Sequence, residues 1–143
     1  MLSWCKEEKR LEDELLLQEA KKAREKAYCP YSNFPVGAAA FGENGKIYYG
    51  CNIENAAYPD GMCAERTALF SAYADGCRLI LKLAVIADST GPISPCGSCR
   101  QVMVELCSPQ TKVVLGNLSG LMKTLTVGDL LPGAFTQEDL HGK

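Results

Sequence analysis

Met62-Cys63-Ala64-Glu65-Arg66 and Ser94-Pro95-Cys96-Gly97-Ser98-Cys99-Arg100 are the stretches from which the rest of the chain is read. Cys96 and Cys99 form a C-x-x-C pair, in which two sulfurs from one turn can grip a single metal ion. Cys63 lies 33 residues before Cys96 and offers a third sulfur, with Glu65 two positions beyond it. Tetrahedral zinc takes cysteine sulfur readily, and a catalytic zinc leaves one of its four positions free of protein ligands. Three cysteines meet that requirement, and a nearby carboxylate that is not a ligand can move protons there. The arrangement points to a metal that activates water as a nucleophile. Each motif opens a helix and the apolar run Leu79 to Ala87 lies between them, so the same stretch also decides the fold: helix, buried strand, helix.

Working outward, Cys63 to Ala74 reads as a helix with Ala68, Leu69 and Ala72 facing inward, and Asp75-Gly76 stops it. Leu79 to Ala87 is almost continuously apolar apart from Lys82, which suits a central strand. Cys99 to Leu106 is a second helix, with Val102 and Leu106 on one face. Upstream, Val36 to Phe41 and Lys46 to Cys51 flank Asn44-Gly45, a strong hairpin signal. Glu12 to Ala27 carries Leu16, Ala20, Ala23 and Ala27 on one helical stripe and must end before Cys29-Pro30. Downstream, Thr111 to Leu115 and Leu121 to Val127 read as strands, followed by a short helical segment. Strands alternating with helices give one layered α/β domain, with residues 1–10 as an N-terminal tail and 11–143 as the domain.

The totals narrow the function. A chain of 143 residues, 47% apolar and 22% charged, has the composition of one folded globular domain. A net charge of −2 offers no broad basic face for a nucleic-acid backbone. The first ten residues lack an apolar signal core, and no run is long enough to span a membrane. Eight cysteines without an export signal then suggest the reducing cytoplasm, with paired cysteines serving metal or catalysis rather than disulfides. The one histidine, His141, lies near the C-terminus, so cysteine must supply nearly all the ligands.

Cys63 and Cys96 each sit where a helix begins, and unpaired N–H groups there favour a thiolate. Zinc with three thiolates carries a net charge of about −1. Either Arg66 or Arg100 could offset it through hydrogen bonds to sulfur. Glu65 is the expected proton shuttle. Cys5, Cys29, Cys51, Cys77 and Cys107 lack metal-type spacing and read as small hydrophobes, although a closed four-cysteine site borrowing one of them is an alternative. A zinc-stabilised interaction domain without catalysis is the competing class. From spacing alone, Phe34, Tyr31, Tyr58 and Phe135 are core or interface rings, and Asn52 and Glu54 are turn formers.

Read together, five segments resemble the small cytidine deaminase family, and P-C-x-x-C with three cysteines is a known variant of zinc nucleobase deaminases. They are Ala27-Tyr28-Cys29-Pro30-Tyr31-Ser32-Asn33-Phe34-Pro35-Val36-Gly37-Ala38-Ala39; Gly50-Cys51-Asn52-Ile53-Glu54-Asn55-Ala56; Cys63-Ala64-Glu65-Arg66-Thr67; Ser94-Pro95-Cys96-Gly97 with Cys99-Arg100-Gln101-Val102; and Leu130-Leu131-Pro132 with Phe135 and Asp139-Leu140. The resemblance implies a three-layer α/β/α fold around a five-stranded mixed sheet, and hydrolysis of cytidine and 2′-deoxycytidine to the uridines with release of ammonia. It implies Cys63, Cys96 and Cys99 as ligands of one zinc per subunit and Glu65 as the catalytic carboxylate. Asn52 and Glu54 match residues that hydrogen-bond a ribose hydroxyl, Phe34 a ring packing on the substrate, and Ala64 a backbone contact to the base. Tyr58 and Phe135 match aromatics reaching a site from neighbouring subunits of a homotetramer with shared active sites. The substrate is then a small nucleoside, with neither nucleic acid nor membrane as partner. A carboxylate at Glu54 accepts hydroxyls and repels phosphate, which suits a free nucleoside.

Overall fold

Asn44-Gly45 turns the chain, because glycine accepts the positive φ of 81° that Gly45 adopts. The hairpin it closes pairs β1 (Val36–Gly42) with β2 (Ile47–Cys51) antiparallel, from Phe41 opposite Ile47 to Gly37 opposite Cys51. This is seen in a computed structural model that describes residues 6–142. The other elements are α1 (Lys6–Arg24), α2 (Ala64–Ala74), β3 (Ile80–Ala87), α3 (Gly97–Leu106), β4 (Lys112–Asn117), β5 (Met122–Thr126), α4 (Val127–Leu130) and α5 (Gln137–His141), with a 3-10 turn at Tyr58–Asp60.

The strands form one five-stranded sheet in the order β2-β1-β3-β4-β5. β3 and β4 run parallel, joined by α3 as the crossover that parallel pairing requires, while the remaining pairs are antiparallel. The sheet is therefore mixed, and β3 is central, as its apolar run predicts.

Period-2 alternation assigns each strand residue to a face. Ala39, Ala84, Ile86 and Val114 meet Leu16, Leu17 and Ala20 of α1 on one side. Ala38, Ala40, Leu83, Val85, Val113 and Leu115 meet Ala64, Ala68, Leu69, Cys99 and Met103 of α2 and α3 on the other. Helices on both faces make the three-layer α/β/α arrangement. Gly37 shows how closely α1 is seated, since a Cβ there would stand 2.0 Å from the Ala20 carbonyl oxygen.

Three expectations change in detail. The first helix begins at Lys6, so it takes in part of the expected tail, whose residues 1–5 lie outside the described residues. It ends at Arg24, short of Ala27: the Lys26 and Ala27 N–H groups tighten onto carbonyls three residues back, both at 3.1 Å, and the Tyr28 N–H then donates to the Asn52 carbonyl at 2.9 Å. On α3 the fully buried stripe is Cys99 and Met103, while Val102 and Leu106 flank it half-buried. Among the described residues, no helix is long and apolar enough to cross a membrane.

Candidate active site

Cys63 is the N-cap of α2 and Cys96 the N-cap of α3, each with extended backbone before the first helical turn. The two helices lie side by side on one face of the sheet and bring their N-termini together. The sulfurs of Cys63, Cys96 and Cys99 all fall within 4.8 Å of one another, and no other described residue belongs to that group. Cys63 and Cys96 stand 4.0 Å apart. Sulfurs sharing a tetrahedral zinc at about 2.3 Å are separated by about 3.8 Å, so the cluster fits that ion with a small contraction. Cys99 is buried, Cys63 half-buried and Cys96 exposed, which leaves one flank of the triad open.

Local hydrogen bonds favour a thiolate at Cys63 within this cluster. The Cys99 N–H donates to Cys96 Sγ at 3.4 Å, and the Arg66 guanidinium donates to Cys63 Sγ at 3.4 Å. The Cys63 thiol is lowered to about 5, by its hydrogen bond with Cys99 above all and then by Arg66. Cys99 is pushed up by that same bond and by burial. Of the two arginines, Arg66 is the one that reaches a sulfur. Arg100 is directed elsewhere: its guanidinium donates to the Pro95 carbonyl at 2.9 Å, the Leu130 carbonyl at 2.8 Å and Ser94 Oγ at 2.7 Å. It fastens the loop that carries Cys96 to the end of α4.

Glu65 lies in the first turn of α2 and is only 5% exposed. Burial raises its pKa, and the negative Cys63 adds to the rise, while hydrogen bonds from its own N–H and from Cys99 oppose it. A carboxyl held above its usual value beside a sulfur cluster is suited to carry a proton between two partners.

A cavity of about 670 Å³ opens on Cys63 and is also lined by Tyr31, Ser32, Asn52, Glu54, Tyr58 and Arg66. Asn52 and Glu54 thus share one space with a sulfur of the triad. Ala64 is buried at the start of α2, and Tyr58 is 74% exposed at the cavity rim. Phe34 and Phe135, 37% and 58% exposed, stand outside the cavity wall. Ser32 and Ser98 line the wall without having been singled out by spacing. For Ser32 a signal existed, since Ser-x-Phe before proline is a serine-turn pattern, and its hydroxyl does accept the Phe34 N–H at 3.1 Å. Of the other cysteines, Cys77 is buried, Cys29, Cys51 and Cys107 are half-buried, and burial takes the Cys107 thiol up to about 12. Cys5 lies outside the described residues.

The family model "Cytidine and deoxycytidylate deaminase zinc-binding region" matches residues 10–116. The chain is 59% identical over 127 residues to a cytidine deaminase of Sporosarcina psychrophila, covering 89% of this chain and 93% of that one. It is 54% identical over 131 residues to a cytidine deaminase of Halalkalibacterium halodurans, covering 92% and 99%. A crystal structure of cytidine deaminase from Burkholderia pseudomallei superposes with a TM-score of 0.84 at 55% identity, covering 85% of this chain and 98% of that one.

Proposed function

The chain belongs to the cytidine and deoxycytidylate deaminase family, and from that membership we propose that it hydrolyses cytidine and 2′-deoxycytidine to uridine and 2′-deoxyuridine, releasing ammonia in pyrimidine salvage. Cys63, Cys96 and Cys99 hold one zinc per subunit. When bound, zinc supplies the Lewis acid that makes water a nucleophile at neutral pH. Glu65 takes a proton from the attacking water and delivers it to the ring nitrogen beside C4. It then moves the second proton to the departing amino group. The new C4–O bond replaces the C4–N bond, and water's two hydrogens end on the ring nitrogen and in ammonia. The observation that carries this reading is a buried carboxyl, raised by desolvation, in the first turn of the helix that Cys63 caps, beside three converging sulfurs.

The remaining assignments follow the same reading. Asn52 and Glu54 bind a ribose hydroxyl, Phe34 packs on the substrate, and the Ala64 backbone meets the base. Tyr58 and Phe135 complete a neighbouring subunit's site in a homotetramer, and the large exposure of both rings supports this. Free thiols at every described cysteine are compatible with a cytoplasmic setting.

The test is to give zinc-loaded protein cytidine, 2′-deoxycytidine, CMP and single-stranded DNA, following ammonia and the ultraviolet change of the base. Turnover of the two nucleosides well above the other substrates is expected. Preference for CMP or DNA, or full activity after metal removal, overturns the reading. Light scattering of the same sample decides the tetramer.

A further inference from the structure

Glu54 is gripped by its own loop before any substrate arrives. The N–H groups of Tyr31 and Ser32 both donate to its Oε1 at 3.0 Å, and the Ser32 hydroxyl donates to Oε2. Ser32 Oγ meanwhile accepts the Phe34 N–H, so its one proton is committed to the carboxylate. A carboxylate offers about four acceptor positions. Among the described residues two are filled on Oε1 and one on Oε2. One acceptor position on Oε2 is left, on a side chain that lines the cavity shared with Cys63. Asn52 is similarly tied, with Oδ1 accepting the Val36 N–H and Nδ2 donating to the Phe34 carbonyl, both at 2.9 Å.

We propose that Ser32 is a positioning residue: its hydroxyl and amide orient Glu54 so that one free acceptor faces the cavity and receives one ring hydroxyl of the ribose. The inference rests on the reading of Glu54 given above. The same clasp keeps the carboxylate charged, since the Ser32 hydroxyl first and the loop amides after it hold Glu54 below its usual value. Geometry also explains why a serine is needed there. A hydroxyl alone can donate to Glu54 while accepting from Phe34, which fixes the loop and the carboxylate in one step. The sugar lies away from the reacting C4, so the contact binds ground state and transition state alike and belongs in KM.

The experiment compares wild type, Ser32→Ala, Glu54→Gln and the double variant, all checked for zinc content. Uridine and 2′,3′-dideoxyuridine serve as competitive inhibitors of cytidine turnover. Ser32→Ala is expected to raise the cytidine KM and the uridine inhibition constant about tenfold, the loss of one hydrogen bond to a charged group. The dideoxyuridine constant and kcat should change less than about twofold, because the lost contact needs the hydroxyl. The double variant should match Glu54→Gln alone, since both changes act through one contact. Equal weakening of both inhibitors by Ser32→Ala, additive effects in the double variant, or a fall in kcat at constant KM overturns the proposal. If Glu54→Gln itself leaves the preference for uridine over dideoxyuridine intact, the assignment of Glu54 falls and this inference with it. If Glu54→Gln abolishes that preference and Ser32→Ala does not, the Ser32 role alone is overturned.

Discussion

Gly50 lies directly beneath Ala64: a Cβ on Gly50 would stand 2.3 Å from the Ala64 carbonyl oxygen and 2.4 Å from the Ala68 nitrogen. Strand β2 therefore seats the first turn of α2 backbone to backbone, and that turn carries Cys63 and Glu65. Gly50→Ala must push the helix away, because the obstructing atoms are main chain and cannot rotate aside. A loss of about 1–3 kcal/mol is expected from such overpacking, together with weaker zinc retention. Gly91→Ala, where nothing stands within 4 Å, is the control and should leave both unchanged. Thermal melts with metal analysis of the two variants check this, and equal behaviour would remove the seating argument.

Glu65→Gln keeps the shape of the side chain and removes its capacity to carry a proton. Since Glu65 stands outside the sulfur group, zinc content should be unchanged. Turnover should fall by about 10²–10⁴-fold, the ordinary contribution of a positioned acid–base group. Near-normal turnover with zinc in place would take Glu65 out of the mechanism.

The two arginines should separate cleanly. Arg66→Ala removes the guanidinium donor to Cys63 Sγ, and zinc affinity should drop by about 10–100-fold, as for other outer partners of a metal ligand. Among the described residues Arg66 Nε is already a buried donor without a partner, so shorter polar replacements at this site should not recover affinity by finding another acceptor. Arg100→Ala cuts the ties to Pro95, Ser94 and Leu130 instead. It should lower the melting temperature of zinc-loaded protein more than Arg66→Ala does. Chelator competition and calorimetry on both variants read the two effects, and a reversed order would contradict the contacts.

How far the sequence could be read follows from the range of the interactions. The hairpin, the central strand and the N-cap cysteines depend on neighbours within a few residues, and all were legible. So was Arg66, because a residue three positions along a helix returns to the face of Cys63. Arg100 lies four positions beyond Cys96, a spacing that also favours a sulfur contact, yet its guanidinium is taken by Pro95, Ser94 and the Leu130 carbonyl 30 residues away, which local spacing does not announce. Asp13 is buried against Lys82 and Thr124, partners 69 and 111 residues distant, which no local pattern announces. The strand order is of the same kind, since nothing local states that β1 pairs with β3. At the candidate site the sulfurs and Glu65 could be found by spacing, whereas the clasp of Ser32 on Glu54 spans 22 residues and needed the fold.

The last prediction concerns pH and lies away from the metal. Tyr48 donates its hydroxyl to Asp75 across the β2–α2 boundary, and Lys46 pairs with the same carboxylate at 3.3 Å. Asp75 is held below the ordinary carboxylate value, by the Tyr48 hydroxyl first and Lys46 second. Tyr48 is held above 10.0 by the same bond. The signs follow from linkage. A depressed carboxyl contributes stability that is present above its unfolded value and is lost as pH falls through the lower folded value. A raised phenol contributes stability that is present below its unfolded value and is lost as pH rises through the higher folded value. The bond therefore stabilises across the neutral range and fades at both ends. Tyr48→Phe should melt below wild type near pH 7, and the gap should narrow below about pH 4 and again above about pH 10, the ordinary values of the two groups, leaving the share of the Asn44 amide that donates to the same hydroxyl at 2.8 Å. Melting curves of the zinc-loaded pair across that range test it. A gap that stays constant down to the acid limit would mean that Asp75 is not held by Tyr48.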